Sequence, residues 1–329
     1  MLNGVVSLEK LKMNRLIVDN TYRSLLIYML YDPSWKLRDY ILIRGRISDD
    51  FIVRFKEQVN NALIRNNFPY ISLKHPIASA WSRICFLKNL KKYEAVYGNV
   101  YELKLRKFNQ KLVQVDDGLM TKNILNGEHN KVIKHLGLRN FFLFRCLLNV
   151  DYNVDLKSFR FIVPESYRSE SFENKCEYIS VVEMINDLCE SRYLEICEVF
   201  GFTPSETNGK SIFMLQSFFD DGLVSSIDYE IGMYKRILES EGLKECEVYI
   251  KPHPRSTIDY RKFFKNSEFI PKDFPYEILV RKSNNIRFEK VISVHSSGLE
   301  EFIPIADEVV CFGTSEFQEL DHTPMIRWK

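Results

Sequence analysis

Short runs of β-branched and aromatic residues recur along the chain. Each stops abruptly at polar residues, and most are followed by a segment with apolar positions three or four apart. Leu16-Ile17-Val18 ending in Asp19-Asn20 reads as a strand, and the apolar stretch from Thr21 to Tyr31, stopped by Asp32-Pro33, as the helix after it. Tyr40 to Ile43 is a second strand, closed by Arg44-Gly45-Arg46. Ser48 then caps a helix whose Phe51, Phe55, Val59 and Leu63 recur every four residues as one buried stripe. Further strands are predicted at Tyr70 to Leu73, Tyr93 to Tyr97 and Lys111 to Val115, the last ending in Asp116-Asp117-Gly118. The segment Leu138 to Val150, dense in leucine and aromatics, reads as a core or interdomain helix, with an amphipathic membrane contact as the alternative.

The second half repeats the pattern. A helix is predicted over Val181 to Phe200, a strand at Ser211 to Leu215, and a helix from Ser225 to Glu241 with Ile227, Ile231, Tyr234 and Leu238 on one face. Strands follow from Val248, at Glu277 to Val280, at Lys290 to Val294 and at Glu308 to Gly313. Strands alternating with helices at this spacing indicate βαβ units and parallel sheets, so the fold class is α/β. A chain of 329 residues suits two domains. Composition turns polar over residues 164–175, which places the boundary there. The expected domains are residues 1–170 and 171–329, with a cleft between them.

Composition narrows the function classes. A formal net charge of +2 gives no global case for nucleic acid. The seven cysteines, at 85, 146, 176, 189, 197, 246 and 311, are odd in number and never spaced Cys-x-x-Cys, which argues against a disulfide framework or a zinc site and fits a reducing cytosol. The apolar runs near the N-terminus are broken by Glu9, Lys10, Lys12 and Arg15, unlike a signal peptide, and none approaches the roughly 20 residues needed to span a bilayer. The expectation is a cytoplasmic protein, soluble or peripheral on the inner membrane. The basic segments Lys88 to Lys92 and Lys104 to Lys111 read as solvated surface, with contact to anionic lipid as the alternative.

With 13 glycines the chain holds neither Gly-x-x-x-x-Gly-Lys-Ser/Thr nor Gly-x-Gly-x-x-Gly, the signatures of phosphate-loop hydrolysis and dinucleotide oxidoreduction. Three short motifs remain. Asp116-Asp117-Gly118 sets two carboxylates at a strand end, where one can act as a general base and Gly118 allows close backbone approach; an ordinary Asp-Gly turn explains it equally. In Lys251-Pro252-His253-Pro254-Arg255 the prolines hold Lys251 and His253 extended just past a strand, on the side where open α/β sheets place ligands. A lone His-Pro is more often a tight turn. Third, after Val294-His295, Ser296 or Ser297 caps a predicted helix, whose end would seat an anion; a plain cap is as common. Decoys exist for each in Asp220-Asp221-Gly222, His75-Pro76 and Ser225-Ser226. Only the set at 116–118, 253–254 and 296–297 follows a predicted strand each time, with one motif in the first domain and two in the second.

An acidic pair with Gly, then His-Pro, then a serine pair, in that order and with 43 positions from His253 to Ser296, resembles the bacterial sialyltransferases. That group comprises the lipooligosaccharide and O-antigen enzymes of glycosyltransferase family 52, the capsular polysialyltransferases, and the marine and Pasteurella-type enzymes. The opening segment Leu16 to Leu30 is most similar to the lipooligosaccharide group. The resemblance implies the GT-B architecture, two Rossmann-like domains facing across a cleft, with CMP-sialic acid held mainly by the C-terminal one. It implies Asp117 as the base on the acceptor hydroxyl, with Asp116 the less favoured neighbour, and His253 on the donor phosphate as acid or electrostatic stabiliser. It implies Ser296 and Ser297 as the phosphate pair, and Glu277 as a carboxylate for the ribose.

The implied partners are CMP-sialic acid and a glycan or lipid-linked oligosaccharide acceptor, a terminal galactoside of O-antigen, lipooligosaccharide or capsule, with no cofactor or metal. A single phosphate needs no metal clamp where a histidine, hydroxyls and a helix dipole meet its charge. Lys251 and Arg255, flanking His253, would reinforce the anion site. The rivals are a transferase with another donor (CMP-Kdo or a UDP-sugar), a polysialyltransferase, and a sugar-nucleotide epimerase.

Overall fold

The computed structural model describes residues 14–44, 47–66, 76–103, 111–118, 121–122, 125–126, 159–168, 170–204, 210–281, 286–296, 298–315, 317, 319–320 and 325–328. The strand predicted at Tyr70 to Leu73, the Leu138 to Val150 segment, His75, Ser297 and residues 104–110 lie outside these. The chain divides into two compact units, 1–184 and 185–329.

The first unit is built on seven parallel strands: β1 (Arg15–Asp19), β2 (Asp39–Ile43), β3 (Asn61–Arg65), β4 (Ala95–Gly98), β5 (Leu112–Val115), β6 (Arg160–Pro164) and β7 (Cys176–Ile179). Their order is β3-β2-β1-β4-β5-β6-β7. This is the Rossmann order, which reverses direction between β1 and β4. Every residue of β1 is buried, as expected of a strand covered on both faces.

Helix α1 (Tyr22–Tyr31) is buried almost all round. Helix α2 (Asp49–Gln58) starts as predicted, with Ser48 Oγ accepting from Phe51 N at 3.2 Å. It buries Phe51 and Phe55, each contributing about 2–3 kcal/mol by transfer from water. The predicted stripe does not run on to Leu63. The chain becomes extended at Val59, and Leu63 lies half exposed in the edge strand β3, where pairing with β2 overrides the helical spacing. Helix α3 (Pro76–Leu90) precedes β4.

The polar stretch 164–175 folds as short 3-10 turns between β6 and β7, two strands of the same sheet. The division between units therefore falls after Met184, inside α4 (Val181–Asn186), rather than at residue 170. The single helix expected over Val181 to Phe200 is broken at residues 187–189, and α5 (Glu190–Phe200) ends on Gly201 in the left-handed region.

The second unit repeats the topology. Its strands are β8 (Lys210–Met214), β9 (Val248–Lys251), β10 (Glu268–Phe269), β11 (Phe288–Ser293), β12 (Ala306–Cys311) and β13 (Ile326–Trp328), in the order β10-β9-β8-β11-β12-β13. All pair in parallel except β13 on the edge. The order reverses here between β8 and β11. Helix α6 (Ile227–Ser240) is capped by Ser226 and buries Ile231, Tyr234 and Leu238 against β8, β9 and β11 residues Phe213, Ile250 and Ile292. Glu277 to Val280, expected as a strand, forms a buried 3-10 turn (Tyr276–Val280) that starts from Pro275. A short apolar run does not by itself separate the two conformations. The fold is α/β with two Rossmann-like units, as expected. Among the described residues, no helix is long and apolar enough to cross a membrane.

Candidate active site

In the first unit, polar side chains gather where the strand order reverses. Asp19, at the end of β1, is fully buried. Its Oδ1 accepts from Asn20 N at 2.7 Å, Thr21 N at 3.0 Å and Thr21 Oγ1 at 3.1 Å, and its Oδ2 meets Ser24 Oγ. Gly98, at the end of β4, is at φ +108°, and a Cβ there would lie 2.4 Å from Val18 O and 2.8 Å from Asp19 Oδ2. Only glycine lets the two strand ends close around the Asp19 carboxyl. The next residue, Asn99, is 2% exposed and donates from Nδ2 to Asn20 Oδ1 at 3.0 Å.

Burial pushes the Asp19 carboxyl up to about 7, against the hydrogen bonds from Ser24, Thr21 and Asn20 and with a smaller push from the charge of Asp117. A carboxyl raised on folding binds a proton in the folded state that the unfolded chain has released. Its stabilising contribution is complete below pH ~4 and is lost as pH rises through about 7. Asp19→Asn should remove that loss. Urea unfolding of both proteins at pH 4.5 and pH 7.5 should show the variant gaining on the wild type by about 3 kcal/mol between the two. An unchanged difference would mean that Asp19 is not a buried, proton-binding carboxyl.

At the end of β5 the two predicted carboxylates part company. Asp116 is fully buried, receiving Arg23 Nε at 2.8 Å and Gly118 N at 3.0 Å. That makes it the fastener of the turn. Gly118 takes φ +96°, which a side chain would strain. Asp117 is half-buried. Thr121 N and Thr121 Oγ1 both donate to its Oδ1, at 3.1 and 2.7 Å.

In the second unit, the strand order β9-β8-β11 sets His253, Gln216 and Ser296 along the carboxyl edge of one sheet. The outer two come from strands roughly 10 Å apart. The segment after β9 turns back on itself, with Ser256 N donating to His253 O at 3.0 Å across Pro254. Arg255 N donates to His253 Nδ1 at 3.2 Å. A neutral imidazole that accepts at Nδ1 carries its proton on Nε2, so the ring offers an Nε2–H donor. Gln216 Nε2 donates to Ser293 Oγ at 3.3 Å, and Ser293 Oγ to Met214 O at 2.9 Å, linking the ends of β8 and β11.

The neighbours of these residues differ from expectation in three ways. Lys251 is 5% exposed, and its ammonium donates to Pro252 O at 3.1 Å and Lys272 O at 3.0 Å. Burial pulls its pKa down to about 8, opposed by Asp273 and Glu277. Arg255 is held by Asp221 at 2.9 Å. Both cations thus have protein partners and shape the loop instead of simply lining an anion site. Ser296 does not cap an α-helix. Its Oγ accepts from Gly298 N at 3.3 Å, and the turns that follow (Leu299–Ile305) are 3-10, start from Gly298 and contain Pro304. The phenol of Tyr276 lies on Gly298, where a Cβ would be 1.9 Å from its oxygen. Glu277, beside that tyrosine, is 2% exposed and within electrostatic reach of Lys251.

The decoy triplet is also brought to the His253 loop. Asp220 accepts from Ser256 Oγ at 3.0 Å, Thr257 N at 2.9 Å and Thr257 Oγ1 at 2.5 Å. Buried Glu230 of α6 accepts from Phe219 N at 2.6 Å and Tyr260 Oη at 2.5 Å, and the Ser256 hydroxyl lies 3.2 Å from that phenol oxygen. Desolvation pushes the Glu230 carboxyl up. Asp19, Gly98, Asn99 and the Asp220-Asp221 contacts were not legible as site features in the sequence. The signal available was position: each follows a predicted strand.

Two Rossmann-like units, each with polar side chains collected at the carboxyl edge of its sheet, form an α/β fold of the kind that places ligands at those edges. Residues 84–303 match the model of Glycosyltransferase family 52, and the chain belongs to that family of bacterial sialyltransferases.

A protein of Haemophilus influenzae strain Rd named only as uncharacterized is 24% identical over 131 residues, 39% of this chain and 42% of the relative, so the match spans less than half of that protein. Among solved structures, the UDP-GlcNAc 2-epimerase from Neisseria meningitidis bound to UDP-GlcNAc is similar over 89% of this chain and 81% of its own, at 14% identity and a TM-score of 0.49. The UDP-GlcNAc 2-epimerase from Methanocaldococcus jannaschii is similar over 89% and 82%, at 12% identity and a TM-score of 0.43.

Proposed function

We propose that this enzyme transfers sialic acid from CMP-sialic acid to a terminal galactoside of a bacterial surface glycan, with inversion, an α-2,3 linkage and no metal. The observation that carries this reading is His253. It lies at the carboxyl edge of the second sheet with Nδ1 occupied by the Arg255 N–H, so that Nε2–H is the donor it can offer a phosphate. Ser296 and Ser297 follow β11, two strands along the same sheet, and are assigned to the same phosphate, and buried Glu277 to the ribose.

Asp117 takes the proton of the acceptor hydroxyl as that oxygen attacks the anomeric carbon. The bond to the phosphate oxygen breaks in the same displacement, which inverts the centre, and the charge left on CMP is met by the His253 Nε2–H and the serine hydroxyls. Thr121 fixes the Asp117 carboxylate through Oδ1. The acceptor, a glycan or lipid-linked oligosaccharide, would place the enzyme at the cytoplasmic face of the inner membrane.

A donor screen with lactose as acceptor tests this. CMP-sialic acid should release CMP in step with a sialylated product that an α-2,3-specific sialidase cleaves, and EDTA should leave the rate unchanged. Release of UDP from a UDP-sugar, or consumption of a donor with no acceptor present, would contradict it.

A further inference from the structure

We propose that the second acidic pair, Asp220-Asp221, consists of positioning residues that fix the orientation and tautomer of His253; the catalytic part of this rests on the reading of His253 given above. The pair lies in the loop after β8, and both carboxylates grip the turn that follows His253. Asp221 holds Arg255 through its guanidinium at 2.9 Å and is itself fixed by Ser217 Oγ at 2.8 Å. Asp220 takes the Ser256 hydroxyl and both donors of Thr257. Arg255 thereby has its side chain on Asp221 and its backbone N–H on His253 Nδ1.

The turn is thus gripped on both sides of its backbone, and the N–H that reads Nδ1 belongs to the residue so held. The imidazole is kept as the Nε2–H tautomer. An imidazolium would set a second N–H against that of Arg255. The scaffold behind the pair is rigid: Phe219 N is anchored on Glu230, which is fully buried, and Ser256 on Tyr260. Asp220 is held below the usual carboxylate range because the bonds from Thr257 and Ser256 outweigh its desolvation, so it grips as an anion. The ion pair itself is partly exposed, with side chains 47% and 30% accessible, so its loss should cost little stability.

Two variants, Asp221→Ala and Arg255→Ala, test this in protein carrying 15N-histidine, with the His253 signals assigned by their loss in His253→Gln. In the wild type the ring nitrogens should report the Nε2–H tautomer. Each variant should move His253 to a mixture of tautomers and lower kcat for CMP release from CMP-sialic acid by between about tenfold and a hundredfold, with KM for lactose unchanged. A wild-type tautomer signature in both variants overturns the proposal, as does a shifted tautomer with an unchanged kcat. If His253→Gln itself keeps the full rate, the reading of His253 as phosphate partner fails, while the tautomer measurement still decides what the acidic pair does.

Discussion

Replacing Asp117 by asparagine should lower transfer from CMP-sialic acid by between about a hundredfold and ten-thousandfold, with the fold unchanged. Asparagine keeps an Oδ1 able to accept from Thr121 N and Thr121 Oγ1, so the turn after β5 retains its two fasteners. What is lost is the ability to take a proton. Its neighbour gives the internal control. Asp116→Asn removes the charge of the buried carboxylate that receives Arg23 Nε and fastens the turn, so it should act chiefly on stability. A thermal melt and a rate measurement on both variants separate the two roles. Full activity in Asp117→Asn would remove that residue as the base.

The second large effect is expected at the other end of the reaction. His253→Ala should lower kcat by about a hundredfold to a thousandfold, the usual loss when one donor to a developing oxyanion is deleted. The prolines on either side hold the backbone, and the ring's bond to Arg255 N is an exposed one, so unfolding does not explain such a loss. A donor whose leaving group is a better anion than CMP should be affected less, because it needs less help to depart. A His253→Ala variant with wild-type kcat would leave the phosphate without its assigned partner.

Much of this was legible from local pattern. β1, β2, β5, β8, β9, β11 and β12 announce themselves as β-branched runs with polar terminators, and those terminators are where the candidate site residues lie. The failures share a cause. Glu277 to Val280 is an apolar run too short to distinguish a strand from a buried turn, and Pro275 decided it. The polar stretch at 164–175 signals a loop, but whether the strands on either side share a sheet depends on pairing between β6 and β7, which composition does not contain. Gly98 is required by Val18 and Asp19 on another strand. The grip of Asp220 and Asp221 on residues 255–257 likewise joins positions far apart in sequence, which the triplet's place after a strand does not reveal. Ser296 caps no α-helix because the turns after Gly298 are 3-10, a difference that the apolar pattern does not signal.

The central claim is that the His253 loop and the segment after β11 receive the donor phosphate. A crystal structure of the protein soaked with CMP tests it most directly. The phosphate should lie within hydrogen-bonding distance of His253 Nε2 and the Ser296 hydroxyl, with the ribose toward Glu277. A phosphate seated at the carboxyl edge of the first sheet, or one that leaves His253 untouched, would contradict it.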